Sequence, residues 1–111
     1  MQFTEEIQSL ISQALVNVDD ENLLAEAVRK SLDHFAKIHP GRSVEVRVPP
    51  FRVVQILGGT THRRGTPPAV VEMSPRTWLE LVCKVTSWDE ARSAGRIAAS
   101  GLGSDLSALM N

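Results

Sequence analysis

A chain of 111 residues, 42% of them hydrophobic and 23% charged, has room for one domain with one core, and this composition is typical of a folded globular protein rather than a disordered one. No apolar run approaches the roughly 18 residues of a membrane-spanning helix, and residues 1–20 lack the basic start and apolar centre of a signal peptide. We therefore expect a cytoplasmic protein without integral membrane association, and the single cysteine fits a reducing compartment.

The charge is unevenly distributed along the chain. Residues 1–41 carry seven acids against three lysines or arginines, whereas residues 42–111 carry six against nine, for a net charge of −1. This imbalance is weaker than the strong basic stripe of a nucleic-acid-binding protein, so no nucleic-acid partner is expected.

Two amphipathic helices are predicted at the N-terminus. Thr4 can cap the first helix, and acidic residues follow in the first turn, where the helix dipole favours negative charge. Apolar residues at helical spacing continue to Val18, and after acidic residues 19–21 the pattern resumes to about residue 37. Residues 1–39 are therefore predicted to form a helical hairpin.

The period of the pattern then changes from helix to strand. Val44, Val46 and Val48 alternate with charged residues, which predicts a strand with one buried face. After two prolines, the nearly continuous apolar run 51–57 predicts a more central strand that is covered on both faces. The glycine- and proline-rich residues 58–68 predict a loop, and a third strand is expected directly after it.

Local chemistry marks the ends of the next two helices. A serine–proline pair at 74–75 can cap and begin a helix that runs to about residue 84 with a broad apolar face. Ser87 and Glu90 have the S-x-x-E spacing of a capping box, in which the hydroxyl and the carboxylate satisfy backbone donors reciprocally. Gly95 is expected to end this second, short helix.

The remaining elements complete an α+β fold. Residues 96–100 predict a strand with small side chains, and a last short helix begins near residue 104. The predicted order is α-α-β-β-β-α-α-β-α over a single domain, residues 1–111. Helices are expected to cover a small, mostly antiparallel sheet of four to five strands.

Residues 40–111 resemble a known family. The strings VEVRVPP, HRRGTPPAVVEMSPRTWLEL, SWDEARSAGRIAASG and DLSAL are similar to the sterol carrier protein-2-like superfamily, in particular to its small single-domain actinobacterial sterol carrier family proteins. The first helix lies outside this likeness.

The resemblance implies a hydrophobic tunnel between sheet and helices that shelters an acyl chain or another hydrophobic small molecule. Such a ligand gains roughly 25 cal/mol per Å2 of surface removed from water and needs few directed contacts. The alternative interpretation is that the candidate lining residues only form the core. They are Val54, Ile56, Trp78, Leu81, Val82, Leu106, Leu109 and Met110.

The loop at 58–68 contains the best candidate for a polar site. His62, Arg63 and Arg64 precede Gly65, and arginine supplies a planar fork of donors while glycine lets backbone N–H groups approach an anion. These residues predict a site for a carboxylate or phosphate headgroup. The alternative is an exposed connection whose charges are merely solvated.

Recognisable catalytic and metal-binding spacings are missing from the sequence. His34 and His39 do not have the spacing of metal ligands, so neither a metal nor a cofactor is expected. Cys83 falls in the apolar stripe of its helix, where a small buried side chain is expected rather than a reactive thiolate.

The sequence thus predicts a non-enzymatic carrier for a lipid-like ligand. One alternative is an accessory interaction module, in which the N-terminal hairpin buries its apolar face in a homodimer. Another is an enzyme that acts on small anions through His62, Arg63 and Arg64.

Overall fold

The computed structural model describes residues 3–58 and 69–110. Five helices and four strands follow one another there in the predicted order, which confirms the α+β class. The helices are α1 Glu5–Val16, α2 Glu21–Ile38, α3 Pro75–Val82, α4 Trp88–Ser93 and α5 Ser107–Met110. The strands are β1 Val44–Val48, β2 Arg52–Ile56, β3 Ala69–Met73 and β4 Ile97–Ser100.

The predicted helix caps are confirmed. Thr4 and Ser74 each accept a hydrogen bond from the backbone N–H three residues further on, at 3.3 Å and 3.2 Å. Ser87 and Glu90 form both bonds of the capping box, at 3.1 Å and 3.0 Å. The starts of α1, α3 and α4 are therefore fixed by side chains close in sequence to the backbone groups that they satisfy.

The sheet is mixed and has the strand order β2-β1-β3-β4. β1 pairs antiparallel with β2 but parallel with β3, and β3 pairs antiparallel with β4. The expectation of a mostly antiparallel sheet was therefore wrong. Twelve residues separate β2 from β3, and a connection longer than a tight hairpin allows β3 to bypass β2 and lie beside β1.

β2 is an edge strand, not the central strand covered on both faces that its apolar run predicted. Val54 and Ile56 lie opposite Val46 and Val44 of β1, on the side of the sheet that carries the core. Val53 points the other way and is 52% exposed. A continuous apolar run therefore did not indicate burial of both faces here.

The two faces of the sheet differ in polarity. Alternate residues of β1 and β3 are buried on the side that packs against the helices. On the opposite side Arg47 is exposed, and it forms ion pairs with Glu45 and, at 4.0 Å, with Glu72 of β3. The domain thus has one apolar interior, between the sheet and the helices.

Trp78 of α3 lies at the centre of this interior and is fully buried. Its indole Nε1 donates to Ser31 Oγ at 2.8 Å, and that hydroxyl donates in turn to the carbonyl of Ala27 at 2.6 Å. The Phe35 ring meets the indole edge-on, with centroids 5.2 Å apart. These contacts attach α3 to α2.

α3 ends two residues earlier than expected. Val85 N–H donates to Glu80 O at 2.9 Å and Lys84 N–H to Leu81 O at 3.2 Å, with Lys84 in the left-handed region at φ 66°. These two bonds form a Schellman motif, which closes the helix. Cys83 is exposed as a result, so the expectation of a buried cysteine was wrong.

Candidate functional site

The predicted lining residues fall on three elements that meet in the interior. Two belong to the helix-facing side of β2, three to α3, and three to the segment that ends in α5. Ile56, Trp78, Leu81, Val82, Leu106 and Met110 belong to the buried apolar cluster, whereas Val54 and Leu109 are partly buried against it. The fold brings all eight into or against one apolar cluster, and their role toward a ligand stays a prediction.

A groove of about 300 Å3 opens between α1 and the C-terminal end of α3. Val82 is the predicted lining residue that also borders it. Sequence reasoning missed this groove, because its two walls are distant in the chain and only tertiary packing brings them together. We call it the α1–α3 groove, and its lining consists of Phe3, Gln8, Ile11, Ser12, Val82, Cys83 and Lys84.

The α1–α3 groove has a mostly polar surface, to which three apolar side chains also contribute. Phe3, Ile11 and Val82 are buried side chains of the core cluster, while Gln8 and Lys84 are exposed. The volume of the groove is at the lower end of the range for small-molecule sites. The groove therefore has the chemistry to hold an amphipathic molecule.

Lys84 connects the α1–α3 groove to the C-terminal helix. Its ammonium Nζ donates to the carbonyl oxygen of Met110, the last residue of α5, at 3.2 Å. α5 is a single turn, and Leu106 and Met110 anchor it with exposed fractions of 1% and 3%. The groove, the end of α3 and α5 are thus neighbours.

An ion-paired carboxylate connects α3 to β4. Glu80 is only 12% exposed and accepts hydrogen bonds from Arg96 Nη2 at 2.6 Å and from Arg76 Nε at 2.9 Å. Arg96 Nε also donates to the Thr77 hydroxyl at 3.1 Å. The bond from Arg96 is the main reason that the pKa of Glu80 lies below its ordinary value; burial opposes the shift and the bond from Arg76 adds to it.

Glu80→Gln is expected to lower the free energy of unfolding at neutral pH by about 1–2 kcal/mol, because two charge-assisted hydrogen bonds are weakened. The folded-state pKa is lower than the unfolded one. The carboxylate therefore stabilises the fold above its ordinary pKa of 4.5, and this contribution is lost as the pH falls through the folded-state value. Urea unfolding across this pH range should show wild type and variant converging in acid.

Glu26→Gln is the matched control for Glu80. Glu26 pairs with Lys30 at 3.5 Å on the surface of α2, where the two side chains are 48% and 44% exposed. Its replacement should change the free energy of unfolding by less than about 0.5 kcal/mol. Equal losses of unfolding free energy in the two variants would show that the bonds of Glu80 to Arg76 and Arg96 stabilise the fold no more than a surface ion pair does.

Comparison with known families gives a match that extends over most of the chain. Residues 20–111 match the family described as bacterial SCP ortholog. The chain belongs to this family. Comparison of the chain with curated proteins gave no match.

The match begins at the start of α2, so α1 lies ahead of the matched region. The α1–α3 groove therefore has one wall inside the matched region and one wall outside it. Val82, Cys83 and Lys84 belong to the matched part, whereas Phe3 and Ile11 do not. The resemblance read from the sequence is confirmed, and the match extends further toward the N-terminus than that resemblance did.

Membership of the SCP family favours a carrier role without catalysis. Within residues 3–58 and 69–110, no cluster of three or more histidine, cysteine or acidic side chains could hold a metal ion. None of the helices described there combines the length and the apolar character needed to cross a bilayer. The predicted anion site at His62, Arg63 and Arg64 lies outside the described residues.

Proposed function

We propose that this protein reversibly binds a lipid-like ligand whose apolar tail enters between sheet and helices when α5 moves away, and that it catalyses no reaction. The observation that carries the proposal is the construction of α5. Two buried side chains of the core cluster, Leu106 directly before this single turn and Met110 at its end, hold it in place together with one hydrogen bond from Lys84. Family membership supports a carrier role in addition.

The free-energy cost of displacing α5 and the gain from burying a ligand tail are of similar size. Full burial of a leucine or methionine side chain contributes about 1.5–3 kcal/mol, so withdrawing both anchors of α5 costs about 3–6 kcal/mol. An acyl tail that occupies the space of Leu106 and Met110 removes a similar apolar area from water and recovers a similar free energy. Binding can therefore be reversible, which a carrier requires.

The direct test is native mass spectrometry of freshly purified protein, with organic extraction of any bound molecule. Titration with decanoate and with decan-1-ol then measures uptake of an added chain. We expect a one-to-one complex with at least one of these probes. An apo mass that persists with both probes present would contradict the carrier function.

Met110→Ala is expected to bind decan-1-ol about thirtyfold more tightly than wild type. Truncation of a buried methionine weakens the attachment of α5 to the core by roughly 2 kcal/mol or more. Displacement of α5 then costs less free energy, and the ligand binds more tightly by the same amount. Isothermal titration calorimetry measures the change. Unchanged or weaker binding by a folded Met110→Ala protein would contradict displacement of α5.

Val16→Ala is the matched control for Met110→Ala. Val16 is at the end of α1 and is 79% exposed, so its truncation removes a similar kind of side chain without loosening α5. Its affinity for decan-1-ol should equal that of wild type.

The structure gives less support to a homodimer formed through the N-terminal hairpin. Ile7, Ile11 and Ala14 of α1 are buried in the core of their own chain. An apolar face that is already covered contributes little to an interface with a second copy. The interaction-module alternative would therefore need a different surface.

A further inference from the structure

Lys84 occupies a backbone position that favours glycine. α3 and α4 both end in Schellman motifs, and the left-handed residue of α4 is Gly95, at φ 74°. The corresponding residue of α3 is Lys84, at φ 66°, although left-handed backbone is unfavourable for a residue with a Cβ atom. Glycine would suit the turn of α3 better than lysine does. We therefore expect the lysine side chain to have a role outside the turn.

Lys84 lines the α1–α3 groove together with Ile11 and Val82 of the buried apolar cluster, so the groove has a lysine next to apolar side chains. Its recorded partner is a neutral acceptor, the carbonyl oxygen of Met110. The ion pairs that join described residues do not include Lys84. A carboxylate is a stronger acceptor for an ammonium group than a carbonyl oxygen is.

We infer that the α1–α3 groove receives the carboxylate end of an anionic amphiphile, and that Lys84 exchanges its bond to Met110 O for a bond to that carboxylate. Loss of the bond to Met110 loosens the last residue of α5. Binding of the headgroup to Lys84 then makes it easier for the apolar tail to enter beneath α5. This inference rests on the carrier function proposed above and adds the headgroup chemistry to it.

The groove favours a carboxylate over a phosphate. Lys84 is the cation among its lining residues, and a single ammonium matches a single negative charge. A phosphate monoester carries about −1.5 to −2 charges at neutral pH, which one lysine does not balance. The ligand class is therefore a chain with a terminal carboxylate.

The test compares decanoate with decan-1-ol, which share one tail and differ in the headgroup. Isothermal titration calorimetry at a pH well above the carboxylate pKa gives both affinities for wild type, Lys84→Met and Lys37→Met. Methionine keeps the apolar part of the lysine side chain, and Lys37 is an exposed lysine of α2 that does not line the groove. Wild type and Lys37→Met should prefer decanoate by about tenfold or more, and Lys84→Met should show no preference.

Lys84→Gly keeps the test decisive if Lys84→Met folds poorly. Glycine relaxes the left-handed turn, so this variant should melt no lower than wild type and should also lose the preference for decanoate.

The possible outcomes separate the headgroup inference from the carrier function. Equal binding of both probes by wild type would overturn the inference and leave the carrier function standing. A preference for decanoate that persists in Lys84→Met and Lys84→Gly would overturn it as well, because the headgroup would then bind elsewhere. Failure of both probes to bind wild type would overturn the carrier function itself.

Discussion

Trp78→Ala is expected to lower the free energy of unfolding by about 3–5 kcal/mol, the range for removal of a large buried aromatic side chain. The indole is fully buried, and alanine would leave a cavity beside Phe35. Small domains are stable by only about 5–15 kcal/mol, so this loss would remove a large part of the total. Urea unfolding followed by circular dichroism measures it, and a loss below about 1 kcal/mol would contradict the central position of Trp78.

A double-mutant cycle separates the hydrogen bond of Trp78 from its packing. Ser31→Ala leaves the buried indole N–H without its acceptor and should cost about 1–3 kcal/mol. Trp78→Phe removes the donor, and the Ser31 hydroxyl retains its bond to Ala27. The double variant should therefore lose less stability than the sum of the single variants. Simple additivity would show that the hydrogen bond between Trp78 and Ser31 contributes little.

Gly41→Ala is expected to lower the free energy of unfolding by about 3 kcal/mol or more, because the added methyl group has no space. A Cβ atom on Gly41 would overlap the carbonyl group of Leu57 and would lie 2.5 Å from Gly58 N. Backbone bonds hold the two segments together on both sides of this contact. Arg42 N–H donates to Gly58 O at 3.1 Å, and Leu57 N–H donates to His39 O at 3.0 Å.

Gly103→Ala is the matched control for Gly41→Ala. Gly103 also has a positive φ, of 92°, but a Cβ atom there would meet no other atom within 4 Å. Its replacement should cost only the backbone strain, about 1–2 kcal/mol. Thermal unfolding of the two variants compares the effects, and equal losses would show that backbone conformation alone accounts for the requirement for glycine at position 41.

The helix starts were predictable because each depends on residues that are close in sequence. Ser74 and Ser87 satisfy backbone donors three residues further on, so the sequence contains both partners of each bond. The helix-facing alternation of β1 was predictable for the same reason, since it repeats within five residues.

The errors concern features that depend on residues distant in sequence or on backbone conformation. The parallel pairing of β1 with β3 joins two strands that are separated in sequence by the whole of β2, and no local pattern in either strand indicates it. The early end of α3 depends on the left-handed conformation of Lys84. A glycine usually marks such a helix end in the sequence, and here the position is occupied by lysine. The α1–α3 groove requires both the packing of α1 and that early end.

The early end of α3 also leaves a cysteine accessible for chemical labelling. Cys83, the single cysteine of the chain, is exposed at the rim of the α1–α3 groove and precedes Lys84 directly. A thiol-reactive fluorophore or spin label can therefore be attached to the unaltered sequence without competing thiols. Its emission or mobility would respond to occupancy of the groove and to movement of α5, so the proposed ligand exchange could be followed in real time.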